Sequence, residues 1–266
     1  MLDWAPMDIS NSGVITAQQG LLAHCFEFAA ELSVKTGNDP GPYKETADLL
    51  LSYMDDKLWL EKEGAYTDGW TREKGFSTTI SMQTHVVLEL YGLIRNEERR
   101  KIVIGKLTGN PGGWLKPGSP FMLYYLFEIL HRNGMDARIL DEIRDIWGMM
   151  LRYDSSTCWE VFPGFYENSR TRSYCHSWSS APGYIFIKYV LGLTPAGQGF
   201  SVMDLHVPDI GLDWCEGSIP TPLGKIYVWW SRENGKALFR AKVPEGIEIN
   251  DKSGSRWDIT IERYGK

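Results

Sequence analysis

The sequence predicts a mainly α-helical chain that ends in a small antiparallel β module. Three observations carry this expectation. From about Thr16 to Leu191, apolar residues recur at helical spacing in segments closed by glycine and proline. After Pro195 the pattern shortens to that of strands, rich in β-branched and aromatic residues. The two regimes meet near Gly197–Gln198–Gly199, which places a helical domain at 1–196 and a β domain at 197–266.

The first helix is expected where Leu21, Leu22, Cys25, Phe26, Ala29 and Leu32 fall at helical intervals. The run Gly37–Asn38–Asp39–Pro40–Gly41 stops it, and Tyr43 to Leu58 follows. Ile80 to Ile94, Asn96 to Leu107, Pro120 to Arg132, Asp136 to Leu151 and Ser179 to Leu191 complete the set. Pro120 suits a first helical position, where its missing N–H costs nothing, and Ser119 reads as its cap. Loops with Gly and Trp separate alternate helices: Gly64 to Gly75, Gly109 to Gly118 and Tyr153 to Trp178. In the β module, Lys225 to Ser231 and Ala237 to Val243 read as a hairpin through Asn234–Gly235. Ile247 to Ile249 and Trp257 to Ile261 add two strands.

Composition narrows the function. The 266 residues carry a net charge of −6, and a nucleic-acid partner would favour a basic surface. No stretch approaches the roughly twenty apolar residues of a membrane span. A cytoplasmic protein is the expectation, unless a leader lies upstream of Met1. Cys25, Cys158, Cys175 and Cys215 are scattered and form no C-x-x-C pair, so neither a zinc site nor a disulfide framework is expected. No Gly-rich phosphate loop or metal-ligand cluster occurs, and no cofactor is expected. Eleven tryptophans stand out, since each carries an indole N–H that wants a partner when buried.

The segment richest in chemistry is SSTCWEVFPGFYENSRTRSYCHSWSSAP, residues 155–182. It holds Glu160 directly after Trp159, then Arg170, Arg172 and His176, then Trp178. Carboxylates and cations match sugar hydroxyls, and aromatic rings match sugar C–H faces. Glu160 is flanked by Trp159, Val161 and Phe162, and apolar surroundings make a carboxylate a better proton acceptor. His176 could hydrogen-bond a sugar hydroxyl or orient a water, or serve as a structural histidine. A Cys–His nucleophile pair using Cys158 or Cys175 is disfavoured, because neighbours in sequence point apart. Trp159 and Trp178 could stack on a sugar or anchor the loop, and Arg170 and Arg172 stay open between ligand and solvent. Ser177, Ser179 and Ser180 read as caps of the following helix. Asp3–Trp4 repeats the pairing of acid and ring, and Trp70 and Trp114 lie in two further loops.

TCWE, with SRTRSYCHSWSSAPGYIFIKYVLGLTPAGQGF after it, resembles the end of the catalytic domain of bacterial α-L-rhamnosidases, glycoside hydrolase family 78. LDWAP, SMQTHVVLELYGL and GSIPTPLGKIYVWW are similar too. The resemblance implies an incomplete (α/α)6 six-hairpin toroid followed by a small antiparallel β-sandwich. It also implies inverting hydrolysis of terminal α-L-rhamnosides by two carboxylic acids, which in such enzymes stand about 6.5–9.5 Å apart. By that resemblance Glu160 is the general base, His176 a sugar ligand and Trp4 part of the apolar wall around the rhamnose; Asp3, Trp159 and Trp178 are further candidate substrate-binding residues from their place beside these. The family's general acid lies in an R-D-E-R-x-G-W-like motif before the D-W, and no such motif occurs in this sequence. The implied reading is the C-terminal part of such an enzyme, nearly inactive alone, with the remaining N-terminal part as partner and a rhamnoside as substrate. Two alternatives remain open: a non-catalytic carbohydrate-binding or scaffold protein of this fold, and another (α/α)6 glycosidase or uronyl hydrolase in which Arg170 and Arg172 bind a carboxylate.

Overall fold

The protein is described from a computed structural model, covering all residues except 1, 2, 4, 6–12, 110, 164–169, 208, 234, 255 and 266. Trp4 therefore lies outside the described residues. The chain divides into two compact units, one of residues 1–134 and 153–179, the other of residues 135–152 and 180–266.

The first unit opens with β1 (Val14–Ile15) and the long α1 (Thr16–Thr36), closed by Gly37 in the left-handed conformation at φ 74°. α2 (Gly41–Lys57) packs back on it. Helices meet at close range only through small side chains, and the buried face of α1 is Ala17, Gly20, Ala23, Ala30 and Ser33. A Cβ placed on Gly20 would come within 2.6 Å of Leu88. This departs from the sequence expectation, in which Leu22 and Leu32 belonged to the inner stripe; both are exposed, together with Phe28 and Val34.

The loop expected at Gly64 to Gly75 contains short strands: β2 (Trp59–Leu60) pairs with β3 (Ala65–Tyr66), and β4 (Gly69–Thr71) pairs with β1 and β5 (Gly75–Phe76). Trp70 is thus a strand residue, paired with Val14 and Phe76. α3 (Met82–Leu90), α4 (Glu97–Gly109) and α5 (Pro120–Arg132) complete the helices of this unit. α3 is buried on every side from Met82 to Glu89, which makes it the central element. Its start is fixed by a buried carboxylate. Asp68 accepts hydrogen bonds from Ser81 N and Oγ, Thr84 Oγ1 and Thr79 Oγ1, at 2.7–3.1 Å. One turn on, His85 Nε2 accepts the Tyr66 N–H at 2.9 Å, so Nδ1 carries the proton and donates to the Ser81 carbonyl at 2.8 Å. Trp114 packs against the His85 ring at 4.1 Å and is buried. It is a core residue, although it lies in a loop between two helices.

The second unit holds α6 (Asp136–Arg152), the short α7 (Ala181–Ile185) with a π-helical turn at Phe186–Val190, and the strands β6 (Leu193–Pro195), β7 (Val202–Leu205), β8 (Trp214–Thr221), β9 (Gly224–Glu233), β10 (Lys236–Pro244), β11 (Glu248–Asp251) and β12 (Trp257–Tyr264). They form one sheet in the order β12-β10-β9-β8 and another in the order β11-β7-β6. The hairpin around Gly235 pairs Glu233 with Lys236, as the sequence implied. The module is not wholly antiparallel: β10 pairs in parallel with β12, and β11 with β7. The cause is connectivity. Between β10 and β12 the chain crosses to the other sheet as β11, and a crossover returns it in the same direction. β8 was not foreseen because Gly217 and Pro220 interrupt it, and it occupies a sheet edge, where both are tolerated. Trp230 and Phe239 are fully buried at the centre of this core, and Trp230 Nε1 donates to the Val190 carbonyl at 2.9 Å. No helix among the described residues is long and apolar enough to cross a membrane.

Candidate functional site

Residues 158–161 and 171–176 of the first unit run side by side. His176 N donates to Cys158 O at 2.9 Å, Glu160 N to Ser173 O at 2.9 Å, and Val161 N to Thr171 Oγ1 at 3.1 Å. Thr157 Oγ1 also donates to the Tyr174 carbonyl. This pairing brings Glu160 and His176 onto neighbouring segments although sixteen positions separate them.

Glu160 is only 7% exposed. Its carboxylate does not sit among apolar groups alone: Arg172 Nη1 stands 3.8 Å from Oε1. The sequence had left Arg172 uncommitted, and the structure places it on the candidate base. Arg170 instead lies over the Tyr153 ring at 3.9 Å.

His176 and Trp178 stack, with ring centroids 4.2 Å apart and planes inclined by 26°. Phe121, in the first turn of α5, stacks on Trp178 at 5.2 Å. Trp178 Nε1 donates to the Glu160 carbonyl at 3.3 Å, which ties the stack to the segment carrying the acid. His176 Nδ1 is buried, and no described protein group hydrogen-bonds it. Phe121 was missed in the sequence. The signal was its place directly after Ser119–Pro120, but nothing local shows that a first-turn ring will meet a ring 57 positions away.

Trp159 is corrected. It is 1% exposed, its indole N–H is bound by Ser155 Oγ at 2.8 Å, and Tyr153 and Tyr174 pack on it. A ring so enclosed has no face for a sugar; it anchors the segment that carries Glu160. Asp3 is also spent on structure. Its Oδ2 accepts from Gly118 N at 2.7 Å and Gln83 Nε2 at 3.0 Å, and its Oδ1 from Ser119 Oγ at 2.5 Å. Ser119 therefore donates to Asp3 and makes no side-chain cap of its own helix. The Gly118 carbonyl in turn accepts the Phe162 N–H at 3.3 Å, so Asp3 reaches the Glu160 segment through one residue. Ser180, likewise expected as a cap, stands at the N-cap of α7 without a side-chain cap bond. Among the described residues no group of three or more His, Cys, Asp or Glu could hold a metal ion.

With this geometry in place, the comparisons with known proteins are direct. Residues 1–190 match the bacterial alpha-L-rhamnosidase 6 hairpin glycosidase domain, and residues 192–250 match the bacterial alpha-L-rhamnosidase C-terminal domain. The chain is similar to the family 78 rhamnosidase of Bacillus sp. GL1, with 35% identity and a TM-score of 0.91 over 100% of this chain and 29% of that one. It shares its fold with the α-L-rhamnosidase of Dictyoglumus thermophilum, at 19% identity and a TM-score of 0.64 over 86% of this chain and 26% of that one. The same holds for the Streptomyces avermitilis enzyme complexed with L-rhamnose, at 16% identity and a TM-score of 0.59 over 82% and 21%. The comparison with curated proteins finds no match. The chain thus spans less than a third of the length of these solved relatives. By the extent of both domain matches and the identity to the Bacillus enzyme, the chain belongs to the bacterial α-L-rhamnosidase family.

Proposed function

We propose that this chain supplies the water-activating half of an inverting α-L-rhamnoside hydrolase, with Glu160 as general base. The observation that carries the reading is a nearly buried carboxylate with one cation beside it, held on a segment braced by Trp159 and Trp178. A general base takes a proton from the attacking water, and the Arg172 guanidinium lies 3.8 Å from the carboxylate proposed for that role. As water attacks the anomeric carbon, Glu160 accepts its proton, while a carboxylic acid on the opposite face protonates the leaving oxygen. No residue of this chain is assigned to that second role. The His176–Trp178–Phe121 stack supplies an apolar wall for a sugar face, with His176 as hydrogen-bond partner for a hydroxyl. Trp4 remains proposed as a substrate-binding residue, and Asp3, expected in the same role, is proposed as a positioning residue through its hydrogen bonds to Gln83, Gly118 and Ser119. The domain division at 1–196 and 197–266 is proposed on the same footing, supported by the two family matches, which part at residues 190 and 192.

The uronyl hydrolase alternative would need Arg170, which lies over the Tyr153 ring, or Arg172, which stands beside Glu160, to hold the substrate carboxylate. The test has two readouts. L-rhamnose should perturb the protein's NMR resonances, and His176→Ala should weaken that binding about tenfold, the effect of one lost hydrogen bond to a buried partner. Glu160→Gln should keep rhamnose binding and, in an enzyme that also carries the general acid, remove hydrolysis of aryl α-L-rhamnoside. Tighter binding of glucuronate than of rhamnose, or turnover by Glu160→Gln within a few fold of the parent, would overturn the reading.

A further inference from the structure

The four-stranded sheet of the second unit shows a clean alternation. Its inner face carries Ile219, Ile226, Val228, Trp230, Phe239, Ala241 and Val243, all buried. The outer face should then be polar, and mostly it is, but it also carries large rings. Tyr227 is 50% exposed, Trp229 is half-buried two positions along the same strand, and Trp214 on the edge strand is 59% exposed. Residues i and i+2 of a strand share a face about 7 Å apart, so Tyr227 and Trp229 form a continuous aromatic strip.

The strip floors an open groove of about 580 Å³, within the range of small-ligand sites. The register places polar groups on both sides. Ser218 lies opposite Tyr227 and Glu216 opposite Trp229 on β8; Lys242 and Arg240 lie opposite the same two rings on β10. Thr260 and Glu262 on β12 form the far wall. Arg240 stands 5.4 Å from the Trp229 ring, and Lys242 pairs with Glu262 at 3.5 Å.

Rings and charges in this arrangement select the ligand. The groove's charged residues are two cations and two carboxylates, so it exerts no net pull on a polyanion. A purely apolar partner would leave four charges to be desolvated against it. A ligand with C–H faces for the rings and hydroxyls for the charged and hydroxyl side chains satisfies both sets of groups. We propose that the outer face of β8, β9, β10 and β12 is a non-catalytic binding surface for neutral glycan chains, with Tyr227 and Trp229 as its stacking platform. The proposal goes beyond the hydrolytic reading and does not depend on Glu160.

The test is binding of the intact chain to an array of neutral oligosaccharides, with sulfated oligosaccharides as the anionic comparison, followed by calorimetry with the best-bound neutral member. Neutral oligosaccharides should bind, Tyr227→Ala and Trp229→Ala should each weaken binding about tenfold, and Tyr227→Phe should retain it. His176→Ala, which should weaken rhamnose binding in the proposed catalytic pocket, should leave it unchanged, which separates this surface from that pocket. Tyr227 is half-exposed on the solvent side, so its replacement leaves the core intact, and an unchanged melting temperature verifies this. Absence of any neutral binder, binding to sulfated members alone, or equal binding by the parent and Tyr227→Ala overturns the proposal.

Discussion

The Arg172 guanidinium stands 3.8 Å from the Glu160 carboxylate, and the two side chains differ sharply in exposure, at 53% and 9%. The acid is enclosed while its counter-charge reaches in from solvent. Removing the cation should therefore impair the base without disturbing the core. In an enzyme that also carries the general acid, Arg172→Ala is expected to lower kcat/KM for an aryl α-L-rhamnoside about tenfold, and Arg172→Lys by less, since a point charge survives. Equal losses in the two variants would show that the charge is not what matters.

Asp3 governs a second expectation. Asp3→Ala leaves Gly118 N–H and Ser119 Oγ without that acceptor at the start of α5, and Gln83 Nε2 with only the Lys116 carbonyl. The expected cost is about 3 kcal/mol of stability, measured by urea denaturation. Asp3→Asn should cost less, because one oxygen acceptor remains. The Gly118–Phe162 hydrogen bond transmits the change, so backbone amide resonances near Glu160 should shift in both variants.

His85 makes stability sensitive to acid. Burial lowers its pKa to about 4, with Lys106 acting in the same direction and the hydrogen bond to the Ser81 carbonyl opposing both. An unfolded histidine titrates near 6.5. Between these values the unfolded chain binds a proton that the folded chain refuses, so the contribution is complete above about pH 6.5 and is lost as pH falls towards 4. The full effect is about 3 kcal/mol. Asp68 acts the opposite way: burial raises its pKa despite four donors, so the folded state takes up a proton there first as pH falls. Unfolding free energies at pH 7 and pH 4.5 measure the balance. His85→Gln keeps an acceptor for the Tyr66 N–H and removes the titrating group, so its stability should vary less over that interval.

Trp230 anchors the core of the second unit. Trp230→Phe shortens a fully buried ring and strips the Val190 carbonyl of its donor. The expected loss is about 3 kcal/mol, seen as a lower denaturation midpoint. A change below about 0.5 kcal/mol would mean that this hydrogen bond is replaced by water.

Local pattern sufficed for much of the architecture. Pro120 announced α5, the Gly37 to Gly41 run ended α1, and Asn234–Gly235 signalled the hairpin, because caps and turns are set by a few adjacent residues. The TCWE and YCHSW runs likewise marked Glu160, His176 and Trp178 as candidates. Burial was harder to read. Leu22 and Leu32 face outward while Ala17, Gly20 and Ala23 face inward, because close helix approach rewards small size over hydrophobicity. Trp159 and Trp178 look equivalent in sequence, yet one is sealed beneath Tyr153 and Tyr174 and the other stacks between Phe121 and His176.

The sequence by itself determined the helical and strand periods, the main turns and the short segment where acid, cation and rings gather. Only tertiary structure decided which acid acquires a counter-charge, which rings pack against which, and that β10 and β12 run parallel. Those outcomes depend on residues far apart in the chain, such as Asp3 with Ser119 and Phe121 with Trp178, and a local pattern carries no information about which distant partner will arrive.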